Sequence, residues 1–344
     1  MDIFNTTKKT GKDGYGLDIG SHSIKFIRLL YEKDSASIAK LSYVKIKDPS
    51  SRSSIIEAIK RCVETGNAGI KEFNVAIAGP AVIVRFIELP RMNDNELSNA
   101  ITFEAEKYIP FGINEVVIDH RVVVPHIGSN KMLVLLVAAK KDHVNDRLKL
   151  LQESGISASI LDVASIANAN AFLMNPRKKA RVGVSAVIDI GASATDIDII
   201  DHDILYFTRT FQIGGDEITK AISNKLSMDI RRAEELKMNP AKRADDISEI
   251  TKPVLYNIID EIRPSFSYFE NQSGKSIERV YLGGGGSRIQ NFHNLLRENL
   301  EVAVEQWDPS DGMMIEAEVD KSLFASVKDQ LGVATGLAFR QQGD

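Results

Sequence analysis

A chain of 344 residues, 43% hydrophobic and 26% charged, is long enough for two buried cores and has the ordinary make-up of a soluble globular protein. A net charge of −4 with scattered basic residues leaves no electrostatic footprint for nucleic acid, and the six dispersed histidines offer no zinc spacing. The single cysteine, Cys62, excludes an internal disulfide and fits a reducing cytoplasm; no signal peptide or membrane-spanning apolar run occurs, Leu133–Ala139 being much too short.

Residues 1–14 are polar and glycine-punctuated and read as a mobile tail. The stretch Gly16-Leu17-Asp18-Ile19-Gly20-Ser21-His22-Ser23-Ile24-Lys25 then predicts an apolar strand ending in an aspartate, a small-residue turn and a returning strand. Glycine in the turn lets backbone N–H groups approach an anion. Asp18 is placed to hold Mg²⁺ and Lys25 to neutralise phosphate oxygens. Ser23 and Lys25 share one strand face, Ile24 and Phe26 the other. Taken alone, the stretch is equally an ordinary hairpin with an acidic turn.

Ile38–Ile46 predicts a further strand, Ser53–Glu64 an amphipathic helix that uses Cys62 for packing, and Phe73–Ala78 a strand closed by Gly79-Pro80. Val82–Leu89 is strand-like and ends at Pro90; Asn93 and Glu96 then form a capping box for a helix carrying Leu97, Ile101 and Tyr108, apolar positions that read as core. Val116–Val124 and Met132–Ala139 are strands about a Gly128-Ser129-Asn130 turn, and Asp142–Ser154 is a helix. This β-α-β-β-α unit, residues 82–158, reads as an insertion in a first lobe. A strand over 159–162 leads into the small-residue helix Val163–Phe172, able to approach a neighbour closely.

Residues 186–200, Ala-Val-Ile-Asp-Ile-Gly-Ala-Ser-Ala-Thr-Asp-Ile-Asp-Ile-Ile, repeat the opening pattern. A repeat so widely spaced is no solenoid, and two related halves facing one ligand account for it. Asp203–Thr210 predicts a strand, and Gly214-Gly215 starts a helix whose first N–H groups are expected to be free. Residues Asp229–Lys252 are helical in part and broken at Pro240, Leu255–Asn271 is an amphipathic helix, and Arg279–Leu282 empties into Gly283-Gly284-Gly285-Gly286-Ser287-Arg288. Leu331–Ala338 is a second small-residue helix. Arginine at position 288 leaves the dinucleotide fingerprint incomplete, and a Walker A loop is absent.

Hairpin, connecting helix, hairpin, glycine run and connecting helix in this order resemble the two-lobed α/β nucleotide-binding fold of actin, sugar kinases, heat-shock chaperones and FtsA. From about residue 15 to the C-terminus the resemblance narrows to the PilM family of type IV pilus assembly. Leu89-Pro90-Arg91-Met92, Glu104–Phe111, Val137–Lys141, Leu150–Gly155, Arg209–Gly214 and Ala233–Lys237 are similar to that family. The division it implies is a tail 1–14, first-lobe core 15–81, insertion 82–158, first lobe continued 159–184, second lobe 185–330 with a nucleotide-clasping part 214–274, and closing helix 331–344.

The resemblance implies ATP with Mg²⁺ between the lobes. Asp18, Gly20, Ser21, Ser23 and Lys25 match the first phosphate loop, and Asp189, Gly191, Ala192, Ser193 and Thr195 the second. Asp18 and Asp189 would reach the metal, through water. Gly283, Gly284, Gly285, Gly286 and Ser287 match the adenosine motif, Glu234 and Lys237 the pair flanking the nucleoside, and Gly214 and Gly215 the adjoining helix start. Asp162 falls where relatives place the acid that orients an attacking water, though an aspartate there equally suits a helix N-cap; Asp196 is the second candidate. Ser193 departs from actin, which has a further glycine. The residues argue for ATP binding ahead of hydrolysis, which remains possible but slow.

The partner implied is the cytoplasmic N-terminal segment of the inner-membrane protein PilN, with the pilus motor ATPases, the platform protein and self-association beyond it. The protein would then be cytoplasmic and peripheral at the inner membrane, with no span of its own. The rivals are an FtsA-like filament former, whose amphipathic C-terminal membrane helix has no counterpart at Arg340–Asp344, and a small-molecule kinase, for which no acceptor base is identifiable.

Overall fold

The computed structural model describes residues 13–32, 35–128, 130–176, 183–240 and 243–340. The expected tail lies, up to residue 12, outside the described residues. In chain order the first elements are β1 (Asp13–Ile19), β2 (Ser23–Glu32), β3 (Ser35–Lys45), α1 (Arg52–Thr65) and β4 (Glu72–Ile77). There follow β5 (Val82–Pro90), α2 (Asp94–Ala105), β6 (Val116–Ile127), β7 (Lys131–Lys140), α3 (Lys141–Glu153), β8 (Ser157–Val163) and α4 (Ala164–Met174). The second half holds β9 (Val184–Ile190), β10 (Thr195–Asp201), β11 (Ile204–Phe211), α5 (Gly215–Leu226), α6 (Ile230–Met238) and α7 (Ala244–Ser273). It closes with β12 (Arg279–Gly283), α8 (Phe292–Leu300), β13 (Ala303–Gln306), β14 (Met314–Ile315), α9 (Lys321–Val327) and α10 (Gly332–Phe339).

Two sheets repeat one plan. The first runs β14-β3-β2-β1-β4-β8 and the second β11-β10-β9-β12-β13, so each places an antiparallel meander beside two parallel strands. Alternation in β2 explains how the first sheet is covered on both faces. Ile24 and Phe26 point to Ile59 and Cys62 of α1, whereas Ile27 and Leu29 point to Ala334 and Ala338 of α10. In the second sheet Ile188, Ile190 and Ile197 pack with Ile218 and Ile222 of α5 and Ile258, Ile259 and Ile262 of α7.

Residues between β4 and β8 form a third, three-stranded sheet ordered β5-β7-β6. Leu97, Ile101 and Ala105 of α2 cover one face against Val134 and Leu136, and the capping box forms as expected, with Asn93 Oδ1 accepting from Glu96 N at 3.0 Å. Leu135 on the other face meets Val163 and, in α4, Ile166.

The small-residue helices α4 and α10 cross as their composition predicts. A Cβ on Gly336 would overlap the Ala167 carbonyl, and one on Gly16 would overlap that of Ala334, so β1, α10 and α4 stack at backbone distance. Two helices differ from the sequence reading: α2 stops at Ala105, so Tyr108 lies beyond it and is 40% exposed where core was expected, and α7 is longer. α7 begins well before Leu255 and runs through Pro253 and Pro264, because its stripe Ile247, Leu255, Ile258, Ile259, Ile262 and Phe266 is buried continuously. That burial outweighs roughly 3 kcal/mol for each interior proline.

Candidate nucleotide site

β1 and β9 end alike. Asp18 and Asp189 are each followed by Ile-Gly, and both turns close by one bond, Gly20 N to Ser23 O at 3.2 Å and Gly191 N to Ala194 O at 2.9 Å. The antiparallel register puts Lys25 opposite Asp18 and Asp196 opposite Asp189. Related turns thus carry unlike charge pairs. The turns also meet, Ser193 Oγ lying 3.0 Å from Ser21 Oγ, and between the hairpins lies a cavity of about 970 Å³. That volume suits a ligand of nucleotide size.

Asp18, Gly20, Ser21, Ser23, Lys25, Asp189, Gly191, Ala192, Ser193, Gly215, Glu234, Lys237, Gly284, Gly285 and Gly286 line this cavity. Five other candidates do not. Asp162 stands at the end of β8, 1% exposed, with Oδ1 accepting from Val163 N at 2.7 Å and Oδ2 paired with Arg340 Nε at 3.3 Å. Neither an N-cap nor a base at the cavity, it is a buried carboxylate whose pKa burial raises and Arg340 partly restores. Thr195 is fully buried and donates to the Ile213 carbonyl at 2.8 Å. Ser287 donates to the Gly284 carbonyl at 2.7 Å, and a Cβ on Gly283 would come within 2.9 Å of Trp307. Gly214 is needed because a Cβ there would lie 2.6 Å from the Ala192 carbonyl.

The N-terminus of α5 is likewise not free. Gly215 N donates to Gly191 O at 3.0 Å and Asp216 N to Ala192 O at 2.8 Å, so the glycine pair braces the second turn instead of presenting donors to an anion. Gly284 requires glycine on two counts: its φ is +80°, and a Cβ would overlap the Asp189 carboxylate and the Ile190 carbonyl.

Lys25 Nζ donates to Asp18 Oδ2 at 2.8 Å, the two side chains being 13% and 12% exposed. Burial lowers the Lys25 pKa, but Asp18, with Asp189 beyond it, outweighs burial and leaves the ammonium above its ordinary value. At the paired hairpins, then, one cation, Lys25, faces three carboxylates, Asp18, Asp189 and Asp196. Burial, with Asp196 beside it, pushes Asp189 up to about 7, and burial pushes Asp196 to about 6 despite a hydrogen bond from Thr210. Excess carboxylate at the hairpin ends is what a hard divalent cation relieves. Among the described residues no group of three His, Cys, Asp or Glu closes round a metal by itself. This fits Mg²⁺, which takes one or two carboxylates and completes its shell with water and phosphate oxygens.

On the second-lobe side, Glu234 accepts from Lys237 at 2.6 Å and Lys237 Nζ donates to Thr219 Oγ1 at 2.8 Å, pinning α6 to α5. Burial would raise the Glu234 pKa, but Lys237 outweighs it and the net shift is downward. Sequence reasoning gave Asp196 only a secondary place, yet the signal was present, since it follows Asp189 at the offset by which Lys25 follows Asp18. His22, Thr210, Arg147 and Arg288 also line the cavity and carried no such signal.

Residues 16–342 match the family model described as Type IV pilus assembly protein PilM. The chain belongs to the PilM family. Among solved structures, a chain of the PilM-PilN type IV pilus biogenesis complex is 26% identical, with TM-score 0.83 over 95% of this chain and 98% of that one. The cell division protein FtsA of Streptococcus pneumoniae is 23% identical over 256 residues, 65% of this chain and 55% of FtsA, so the chain spans about half the length of that curated relative. MreB 5 of Spiroplasma citri, solved bound to AMPPNP, shares the fold at TM-score 0.52 and 11% identity, each chain covered to 95%. The PilM family and the actin-like ATPase fold expected from the paired hairpins are thus both found. Among the described residues no helix is long and apolar enough to cross a membrane.

Proposed function

We propose that this PilM-family protein binds Mg·ATP in the cavity between its hairpins and acts as a cytoplasmic scaffold of type IV pilus assembly. It would hold the cytoplasmic N-terminal segment of a PilN-like inner-membrane protein and couple it to the pilus motor. The observation that carries the partner is the likeness, over nearly the whole chain, to a component of the PilM-PilN complex. For the nucleotide, the support is the pair of turns with three carboxylates and one lysine around a single cavity.

In this reading the glycine turns admit the phosphates, Lys25 neutralises them, and Asp18 and Asp189 hold Mg²⁺ through its water, Asp196 adding charge behind Asp189. Bound there, the ion would screen the phosphate charge. The α5–α6 network of Thr219, Glu234 and Lys237 would flank the nucleoside opposite Gly284–Gly286. Asp162 has no part in it. Phosphate recognition here is positioning and charge neutralisation, which these residues supply.

Two measurements test the proposal. Mg·ATP at about a hundredfold excess over Kd should stabilise nucleotide-free protein by roughly 2.7 kcal/mol, and an unchanged melting temperature would remove the nucleotide site. A synthetic peptide of the PilN cytoplasmic N-terminus should bind saturably in calorimetry. No binding with or without Mg·ATP would remove the partner.

A further inference from the structure

We infer that Arg147, a residue of the first-lobe helix α3, contacts the terminal phosphate of the bound nucleotide and so distinguishes triphosphate from diphosphate. The assignment rests on the nucleotide reading above. α3 lays His143, Asp146, Arg147 and Leu150 along the cavity, so the cavity extends past the two turns onto this helix. The two acids whose charges act on Arg147, Asp18 and Asp146, are already engaged. Arg52 takes two of the three acids of α3, through Nη1 to Asp146 Oδ1 and Nε to Glu153 Oε2, each at 2.8 Å. Lys25 takes Asp18 at 2.8 Å, and His143 Nε2 lies 3.0 Å from the Ala78 carbonyl.

Among the described residues nothing hydrogen-bonds or ion-pairs with the Arg147 guanidinium, which is half-buried. Burial lowers its pKa, and the fields of Asp18 and Asp146 only partly oppose this. A permanently charged group that is partly desolvated and has no partner gains when an anion arrives in the cavity. The planar guanidinium fork suits phosphate oxygens and can bind them in bidentate fashion.

The charges that act on Arg147 are Asp18 and Asp146, both of the first lobe. Glu234 and Lys237, by contrast, belong to α6 of the second lobe and act on His22. With the nucleoside at α6 and the glycine run, the far end of a triphosphate is the part that reaches α3. A diphosphate stops short of it.

The test is calorimetric titration of Mg·ATP and Mg·ADP into full-length wild type, Arg147→Gln and Arg147→Lys, with melting of each nucleotide-free protein. Arg147→Gln should weaken Mg·ATP by about tenfold or more and leave Mg·ADP within about twofold. Arg147→Lys should recover part of the loss, since it keeps the charge without the fork. Nucleotide-free Arg147→Gln should melt no lower than wild type, because an unpaired cation has been removed. Unchanged Mg·ATP affinity in Arg147→Gln, or equal weakening of both nucleotides, would overturn the assignment while leaving the nucleotide site standing. Wild type that binds neither nucleotide would overturn both.

Discussion

Replacing Asp189 by Asn should have opposite effects on the nucleotide-free and nucleotide-bound protein. Asparagine has the shape of the protonated carboxyl, so Asp189→Asn freezes the neutral form. The folded protein holds the Asp189 proton up to about pH 7, against a reference of 3.8, because burial and Asp196 disfavour the anion. An acid whose folded pKa is raised binds its proton more tightly when folded. The nucleotide-free protein therefore loses stability as pH rises from about 4 through 7. At pH 8 the ionised side chain costs at most about 4 kcal/mol relative to the neutral one, the shift from 3.8 to about 7 at 1.36 kcal/mol per unit. Asp189 opens to the cleft, and water there screens part of the field, leaving about 2 kcal/mol.

For a chain of 344 residues that is about 3 °C in Tm. In EDTA at pH 8, Asp189→Asn should melt above wild type by this amount, and the gap should close at pH 5, where wild type is itself protonated. With saturating Mg·ATP at pH 8 the order should reverse, since the variant lacks the carboxylate that the metal needs. Differential scanning fluorimetry of both proteins across pH, with and without nucleotide, reads all of this. A variant that melts below wild type in EDTA at pH 8, or a gap independent of pH, would refute the electrostatic reasoning.

Other positions separate structural from nucleotide-binding roles. Asp162→Asn breaks the buried pair with Arg340, whose side chains are 1% and 6% exposed, and should cost about 3 kcal/mol by denaturant titration without altering Mg·ATP affinity. Loss of ATP turnover at unchanged stability would return Asp162 to a catalytic role. Lys25→Met leaves Asp18 without its partner and should cost about 3 kcal/mol in the absence of Mg²⁺, with Mg²⁺ restoring part of it; a variant as stable as wild type in EDTA would contradict the charge balance described for the cleft. Gly336→Val drives a side chain into the Ala167 carbonyl and should cost more than about 4 kcal/mol, seen as loss of a cooperative melt. Soluble, wild-type-like Gly336→Val would mean that α4 and α10 cross differently.

Much of this molecule was legible in one dimension because its chemistry is local. A strand that ends in Asp-Ile-Gly and returns through small residues can be read directly, and its second appearance at Asp189 disclosed the duplication that the two sheets display. Alanine and glycine at helical spacing likewise announced the close crossing of α4 and α10, since only small side chains permit it.

Tertiary contact decided the rest. Asp162 reads like an active-site acid, yet Arg340, near the other end of the chain, claims its carboxylate. The amides of Gly215 and Asp216 look free in any helix-start pattern, but the second turn supplies their acceptors. α7 passes through two prolines because a buried stripe outweighs their local cost. Arg147 is one more charged residue on an amphipathic helix until Arg52 and Lys25 are seen to occupy Asp146 and Asp18, the two acids that act on it. Spacing along the chain reports which groups a turn or a helix face can present, whereas the partner each group finally keeps depends on segments far away in sequence that packing brings beside it.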